Sequence, residues 1–324
     1  TAASKKKTAA VKRFQGDVTQ LVVGPALASV KGILAFIHAD EQAVLACLAQ
    51  DHGVSQIERE FTKHGTAVDR ECFQYIRHGR TGESKKVYDN GVMDSGRKKG
   101  MRLEDFLSSS QARAASLTVG MVLALRLYTT ACYASLNTPL RAKMSAANPH
   151  PFPVTVHLIT EGSTSPRLEY ESAPFPPSPP PPPLPTIFAF APRVAVKRLR
   201  AVEGSASSAN DALTLWRGMK NVEIGDAFFN DGGGSEKAPM STTHDLRVAV
   251  RYAVQASSTT ALLLKLNTRN FRERGADLRF LSCFEAEAEV LFPPLTHLSP
   301  TQSVEHFEMK GIKFTVVEVE PSFG

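Results

Sequence analysis

Three short stretches in the C-terminal half carry side chains able to do chemistry. Arg217 closes an apolar run as Leu-Trp-Arg-Gly. An arginine leaving a buried strand beside a glycine offers a fixed guanidinium fork to phosphate, while the glycine lets a ligand reach the backbone. A structural ion pair explains the same residue. Ser241-Thr242-Thr243 precede a helical stretch from Asp245 to Ala256. Thr242 or Thr243 would cap that helix by accepting from its free amides, which leaves Ser241 for another role. The third stretch is Phe284-Glu-Ala-Glu-Ala-Glu289, running into Val290-Leu291-Phe292. On an extended chain Glu285, Glu287 and Glu289 share one face, with successive carboxylates roughly 7 Å apart. Such a pair can address two atoms of one reacting complex. A polar, solvent-facing edge is the alternative, although Glu289 leads directly into an apolar strand.

The ordered set Arg217, Ser241-Thr242-Thr243 and Glu287-Ala288-Glu289 resembles the arginine, serine, glutamate signature of the mono-ADP-ribosyltransferases. It is most similar to the arginine-specific members with an E-x-E pair. Leu127-Tyr-Thr-Thr-Ala-Cys-Tyr-Ala-Ser-Leu-Asn137-Thr-Pro-Leu-Arg141 resembles the family's Y-T…Y…I-N…L-R helix, and the flanks Ala238-Pro-Met and Glu289-Val-Leu-Phe-Pro-Pro follow in order. The likeness covers about 115 to 160 and 195 to 320. Thr243 stands where the family often has the second serine of Ser-x-Ser, which keeps the hydroxyl.

The resemblance implies an enzyme that cleaves nicotinamide from NAD and moves ADP-ribose to the arginine of a protein acceptor. Glu289 would hold the ribose 2′-hydroxyl and stabilise the developing cation. Glu287 would bind and help deprotonate the acceptor guanidinium, otherwise cationic and a poor nucleophile. Arg217 would hold the NAD phosphates, the Gly218 backbone would meet the nicotinamide amide, and Ser241 would position Glu289. Phe284 would face the substrate, and Phe271 or Arg274 would overlie NAD from the loop 267–275. Tyr128 and Asn137 match positions that contact the cofactor in some members. On one regular helix, however, nine residues are about two and a half turns, which puts the two on opposite sides. A NAD glycohydrolase using the same site is the close alternative, and Glu287 favours transfer over hydrolysis.

Elements to hold these residues can be read from periodicity. Ile33, Phe36, Ile37, Val44, Leu45 and Leu48 recur at helical spacing, with a break near His52-Gly53. Residues 77–100 hold five glycines and read as a long irregular basic loop. Leu103–Ala142 returns to helix, clearest over Val119–Leu140, with a break or new first turn expected at Pro139. Val154–Thr160 fits helix or strand, and Val194–Val202 fits helix. Strand-like runs follow at 213–217, 261–266, 276–281, 288–292 and 313–319. Helices first and strands later predict an α+β fold: a helical N-terminal lobe followed by a mixed or antiparallel β core, of the ADP-ribosyltransferase type that the resemblance implies. Residues 1–13 read as a basic disordered tail, 14–110 as a helical N-terminal region and 111–324 as the catalytic domain. That domain is interrupted at 162–192 by a proline-rich insertion, since nine of the 21 prolines fall between Pro174 and Pro185. Pro179–Pro183 would form a polyproline II ligand for an SH3- or WW-type partner, and a non-catalytic interaction module built on it is the reading from a different class.

Composition excludes several classes. Of 324 residues 42% are apolar and 22% charged, which fits a folded globular chain. No apolar run approaches the length of a membrane span. Cys47, Cys72, Cys132 and Cys283 are scattered without a CxxC pair, so neither a disulfide scaffold nor a zinc knuckle is expected. An intracellular, cytoplasmic setting is the expectation, and secretion stays open because the first residue is Thr rather than Met. The nine histidines show no metal-ligand spacing, so no metal is expected. Gly232-Gly233-Gly234 lacks the lysine of a phosphate loop. The charge of +6 lacks a nucleic-acid module to serve. An anionic dinucleotide accounts for it.

Overall fold

The computed structural model describes residues 21–23, 32–79, 93–98, 101–160, 195–203, 211–254 and 258–322. The basic tail, the proline-rich segment 162–192 with Pro179–Pro183, and most of the loop before residue 93 lie outside them. The fold is α+β, with a helical lobe leading into a mixed sheet.

After a short strand β1 (Leu21–Val23), the helical lobe opens with α1 (Ile33–Phe36), α2 (Glu41–Asp51), α3 (Val54–His64) and α4 (Ala67–His78). Local rules explain its boundaries. Asp40 accepts from the Ala43 amide to start α2. His52 and Gly53 take left-handed backbone between α2 and α3. Thr66 and Asp69 form a reciprocal capping box at the start of α4. The small helices α5 (Leu103–Leu107) and α6 (Ser110–Ala114) lead into α7 (Val119–Tyr128), every residue of which from Gly120 onward is buried. Gly120 lets α7 approach the α2–α3 corner, since a Cβ there would lie 1.9 Å from the His52 carbonyl oxygen.

The single helix expected over Val119–Leu140 is two. The hydroxyls of Thr129 and Thr130 donate to the carbonyls of Arg126 and Leu127 at 2.8 and 2.6 Å. Side-chain capture of backbone carbonyls competes with continuation of the helix. The next helix, α8 (Tyr133–Arg141), departs at 83°, and Pro139 sits inside it rather than at a break. Among the described residues no single helix is long and apolar enough to cross a membrane.

The ambiguous run at 154–160 is helix α9 (Pro153–Thr160), buried from Val154 onward. Glu60 of α3, 3% exposed, accepts from the amides of Val154 and Thr155 and from the Thr155 hydroxyl. It thereby satisfies donors that a helix start leaves free. Helix α10 (Ala195–Glu203) closes the lobe.

The strands β1, β2 (Leu213–Lys220), β3 (Gly234–Glu236), β4 (Met240–Thr243), β5 (Thr260–Thr268), β6 (Ala276–Asp277), β7 (Glu289–Phe292), β8 (Thr296–Met309) and β9 (Ile312–Ser322) form a nine-stranded sheet ordered β1-β3-β8-β9-β5-β2-β4-β7-β6. Among the described residues only β5 and β9 pair in parallel. Helix α11 (Asp226–Asn230) precedes β3, and α12 (Leu246–Ala253) follows β4. Leu262, Leu264 and Leu266 of β5 enter one apolar cluster while Ala261 and Leu263 enter another beneath α12, as strand alternation requires. The long strand β8 was not legible in the sequence, since its outer half is polar and exposed. The strand expected over 276–281 stops at Asp277 and turns.

Candidate active site

Arg217, Ser241 and Glu289 come together through adjacent strands. Ser241-Thr242-Thr243 is strand β4 rather than a helix cap, and Asp245 caps α12 by accepting from the Arg247 amide. In the β4–β7 ladder Thr243 lies opposite Glu289. Ser241, two residues along β4, is therefore Glu289's diagonal neighbour on the same face, within side-chain reach. Its hydroxyl donates to Glu289 Oε1 at 2.6 Å. On the neighbouring strand β2, Arg217 sends Nη1 to the Ser241 carbonyl at 2.9 Å.

The three glutamates do not alternate on one strand. Residues 285–287 form a 3-10 turn, and Ala288 takes left-handed backbone at φ 47°. Only Glu289 belongs to β7. Glu287 is consequently presented from a turn above the strand. Its carboxylate accepts from the Tyr252 hydroxyl at 2.8 and 2.9 Å and from Arg251 Nη2 at 3.0 Å. Thr243 fixes the turn through a bond from its hydroxyl to the Glu287 carbonyl at 2.6 Å. Glu285 points elsewhere, 3.5 Å from Arg97 Nε.

Arg217, Ser241, Thr243, Tyr252, Glu287 and Glu289 line a cleft of about 450 Å³, together with Tyr128, Asn137, Arg141, Trp216, Gly218 and Phe284. That is within the range of small-molecule sites. Tyr128 and Asn137 are neighbours rather than residues on opposite sides: Asn137 Nδ2 donates to the Tyr128 hydroxyl at 3.1 Å, and that hydroxyl donates to the Pro239 carbonyl at 2.9 Å. Asn137 Oδ1 is buried without a hydrogen-bond partner. Gly218 is required by packing, since a Cβ there would lie 1.8 Å from the Ala249 carbonyl oxygen of α12. Phe271 and Arg274 do not line the cleft; they lie on and beside the 3-10 turn Phe271–Glu273, next to α10. Cys283 is core.

The electrostatics follow from burial. Glu289 is pushed up to about 7, chiefly by loss of water, with Glu287 adding to the rise while the Ser241 bond and the Arg217 charge oppose it. Burial pulls the Arg217 guanidinium below its ordinary value, opposed by Glu236 and reinforced by Arg141. Burial lifts the Tyr128 hydroxyl to about 12.

Three participants were given no role in the site by the sequence, although Arg141 closes the stretch that carries the family resemblance. Glu236, 1% exposed, accepts from Arg141 Nε and Nη2 at 3.1 Å each and lies 3.7 Å from Arg217 Nη2. It comes from a Gly-rich turn and a three-residue strand, with no pattern to mark it. Arg141 is the closing arginine of the helical stretch, and only this pairing shows that it joins Arg217. Tyr252 is a half-exposed helix residue whose partner lies in a different element.

No family model matches the chain, and no curated protein matches it. Solved structures do. The chain is similar to the ADP-ribosyltransferase HopU1 of Pseudomonas syringae pv. Tomato DC3000, at 16% identity over 78% of this chain and 97% of that one, TM-score 0.41. It is similar to Plx2a, an ADP-ribosyltransferase toxin from Paenibacillus larvae, at 12% identity over 68% and 95%, TM-score 0.39. It is also similar to exoenzyme S from Pseudomonas aeruginosa bound to carba-NAD, at 16% identity over 78% and 88%, TM-score 0.36. These likenesses are distant.

Proposed function

We propose that the protein is a NAD-dependent mono-ADP-ribosyltransferase that moves ADP-ribose to an arginine. The observation that carries this reading is the 2.6 Å bond from Ser241 to Glu289 inside a cleft that Arg217 also lines. The donor set suits a dinucleotide. Arg217 and Arg141 supply two guanidiniums for a pyrophosphate, and Glu236 keeps them together in the absence of an anion. The free acceptor on Asn137 Oδ1 suits a ribose hydroxyl or a carboxamide.

In this mechanism the bond between ribose C1′ and the nicotinamide nitrogen breaks, and nicotinamide leaves with the bonding pair. Positive charge grows on the ribose, and the Glu289 carboxylate, fixed by Ser241, stabilises it. Ser241 fixes which oxygen of Glu289 faces inward. An acceptor guanidinium nitrogen then bonds to C1′ and gives up a proton, for which Glu287 is the base.

Hydrolysis of NAD by the same site is the second reading. The Glu287 carboxylate already accepts from Tyr252 and Arg251, which compete with an acceptor guanidinium for it.

Incubation with labelled NAD and agmatine tests the choice. Labelled agmatine and free nicotinamide are expected. Nicotinamide without labelled agmatine identifies a hydrolase instead, and neither product sinks the enzyme reading. Glu289→Gln abolishes both reactions, whereas Glu287→Gln removes transfer and spares most NAD cleavage.

A further inference from the structure

The segment from Leu278 to Glu285 carries Phe284 and leads into Glu287, yet it is not a strand. Its internal support is a turn in which the amides of Leu281 and Ser282 donate to the Leu278 carbonyl, and a bond from the Phe284 amide to Ser282 Oγ at 3.1 Å. Most of its remaining carbonyls are held from the helical lobe. Arg126 Nη1 donates to Leu281 O at 2.7 Å, and Arg97 donates through Nη2 to Arg279 O at 2.6 Å and through Nη1 to Ser282 O. The Asp94 amide donates to Cys283 O at 2.7 Å.

One carboxylate organises these donors. Asp94 accepts from Arg126 Nη2 at 2.7 Å, from Arg97 Nη1 at 2.8 Å and from the Tyr75 hydroxyl at 2.6 Å. The Phe106 ring faces both guanidiniums, at 3.8 Å from Arg126 and 5.2 Å from Arg97. The side chains of Arg126, Arg97 and Asp94 are only 3%, 8% and 16% exposed. Burial raises the Asp94 carboxyl, but the Arg126 charge and the bonds it receives outweigh that and leave it below its ordinary range.

Burying three charges is costly, and apolar side chains of equal volume would hold two layers together at least as well. Charge adds direction here, because a guanidinium fork binds chosen carbonyls at fixed angles. Glu289 needs no such support, being held by the β4 ladder and Ser241.

We propose that Asp94, Arg97 and Arg126 are positioning residues for the acceptor half of the site, presetting the segment 279–285 and through it Phe284 and Glu287. The inference rests on the transferase reading. It assigns the N-terminal region a part in acceptor recognition, separate from NAD cleavage.

The test uses the full chain carrying Arg97→Ala or Arg97→Lys, checked for an unchanged melting transition. Arg97→Ala raises the KM for agmatine roughly fivefold or more, because small misplacements of a binding group are costly. NAD cleavage without agmatine stays within about twofold, since Glu289 has its own supports. Amide exchange over 279–287 quickens about tenfold or more as local opening becomes easier. Arg97→Lys keeps the charge beside Asp94 but lacks the rigid fork, and falls between. An unchanged KM, a KM rise without faster exchange, or an equal fall of cleavage and transfer overturns the proposal. If the unaltered chain cleaves no NAD, the transferase reading fails on that result, and the acceptor role proposed here fails with it. The exchange arm then reports only whether the cluster holds the segment.

Discussion

Asn137 donates to the Tyr128 hydroxyl at 3.1 Å because the chain turns 83° between the helices that carry them. The same hydroxyl donates to the carbonyl of Pro239, one residue before β4 begins. The corner of the helical lobe is thus tied to the strand that presents Ser241. Tyr128→Phe removes the donor to Pro239 and the acceptor for Asn137 together. Asn137 Nδ2 keeps its 3.4 Å bond to the same Pro239 carbonyl, so the loss should be about 1 kcal/mol, the net worth of a hydrogen bond. Thermal unfolding measures that loss, and a raised KM for NAD in the folded variant is the accompanying kinetic outcome.

Glu289 must be ionised to stabilise a cation, and it is held up near 7. NAD cleavage should therefore rise with pH through about 7 and then level off. The Ser241 bond opposes the rise, so Ser241→Ala should move that limb toward alkaline pH and slow the reaction at neutrality. A pH profile of kcat/KM for NAD, which reports groups of the free enzyme, decides it for each protein. Superimposable limbs would remove Ser241 from control of the carboxylate.

The same shift makes a stability prediction. A carboxyl with a raised folded value binds more protons folded than unfolded between 4.5 and about 7. Raising the pH through that window therefore costs stability, and the cost is complete above it. Glu289→Gln has no proton to lose. It should melt a few degrees above the unaltered chain at pH 8, where the cost is fully present, and with little advantage at pH 4.5. Paired melting curves at the two pH values check the sign.

Glu236 accepts two bonds from Arg141 and also faces Arg217. Glu236→Gln leaves the two guanidiniums without the carboxylate they share, a change that typically costs 3–5 kcal/mol when the pair is buried, roughly the loss expected here. Added pyrophosphate should recover part of it by taking the carboxylate's place. Melting with and without pyrophosphate separates this from simple loss of packing, which an anion would not repair.

Much of the architecture could be read locally. The spacing of Val44 through Leu48 announces α2 and the pair His52-Gly53 announces its end, because capping and left-handed backbone are decided within a few residues, whereas the break between α1 and α2 at 37–40 left no mark in the apolar spacing. The strands through Leu215 and Leu263 were legible for the same reason. The corner at Thr129–Cys132 was not. Two threonine hydroxyls capture carbonyls there, as Thr160 captures the Val156 carbonyl within α9, and nothing in their spacing says that the chain will turn at 129–132. Pro139, the residue that sequence rules single out, is accommodated inside α8.

The candidate site divides along the same line. Residue identity settled which chemistry was available: a guanidinium at 217, a hydroxyl at 241 and carboxylates at 287 and 289, since functional groups travel with residue type. Their use was settled by the folded arrangement. It placed Ser241 diagonally across a ladder from Glu289, lifted Glu287 off that strand through left-handed Ala288, and brought Glu236 and Arg141 to Arg217. Most of these contacts join segments far apart in the chain. Their energies come from register, burial and charge pairing between elements, which no local periodicity records.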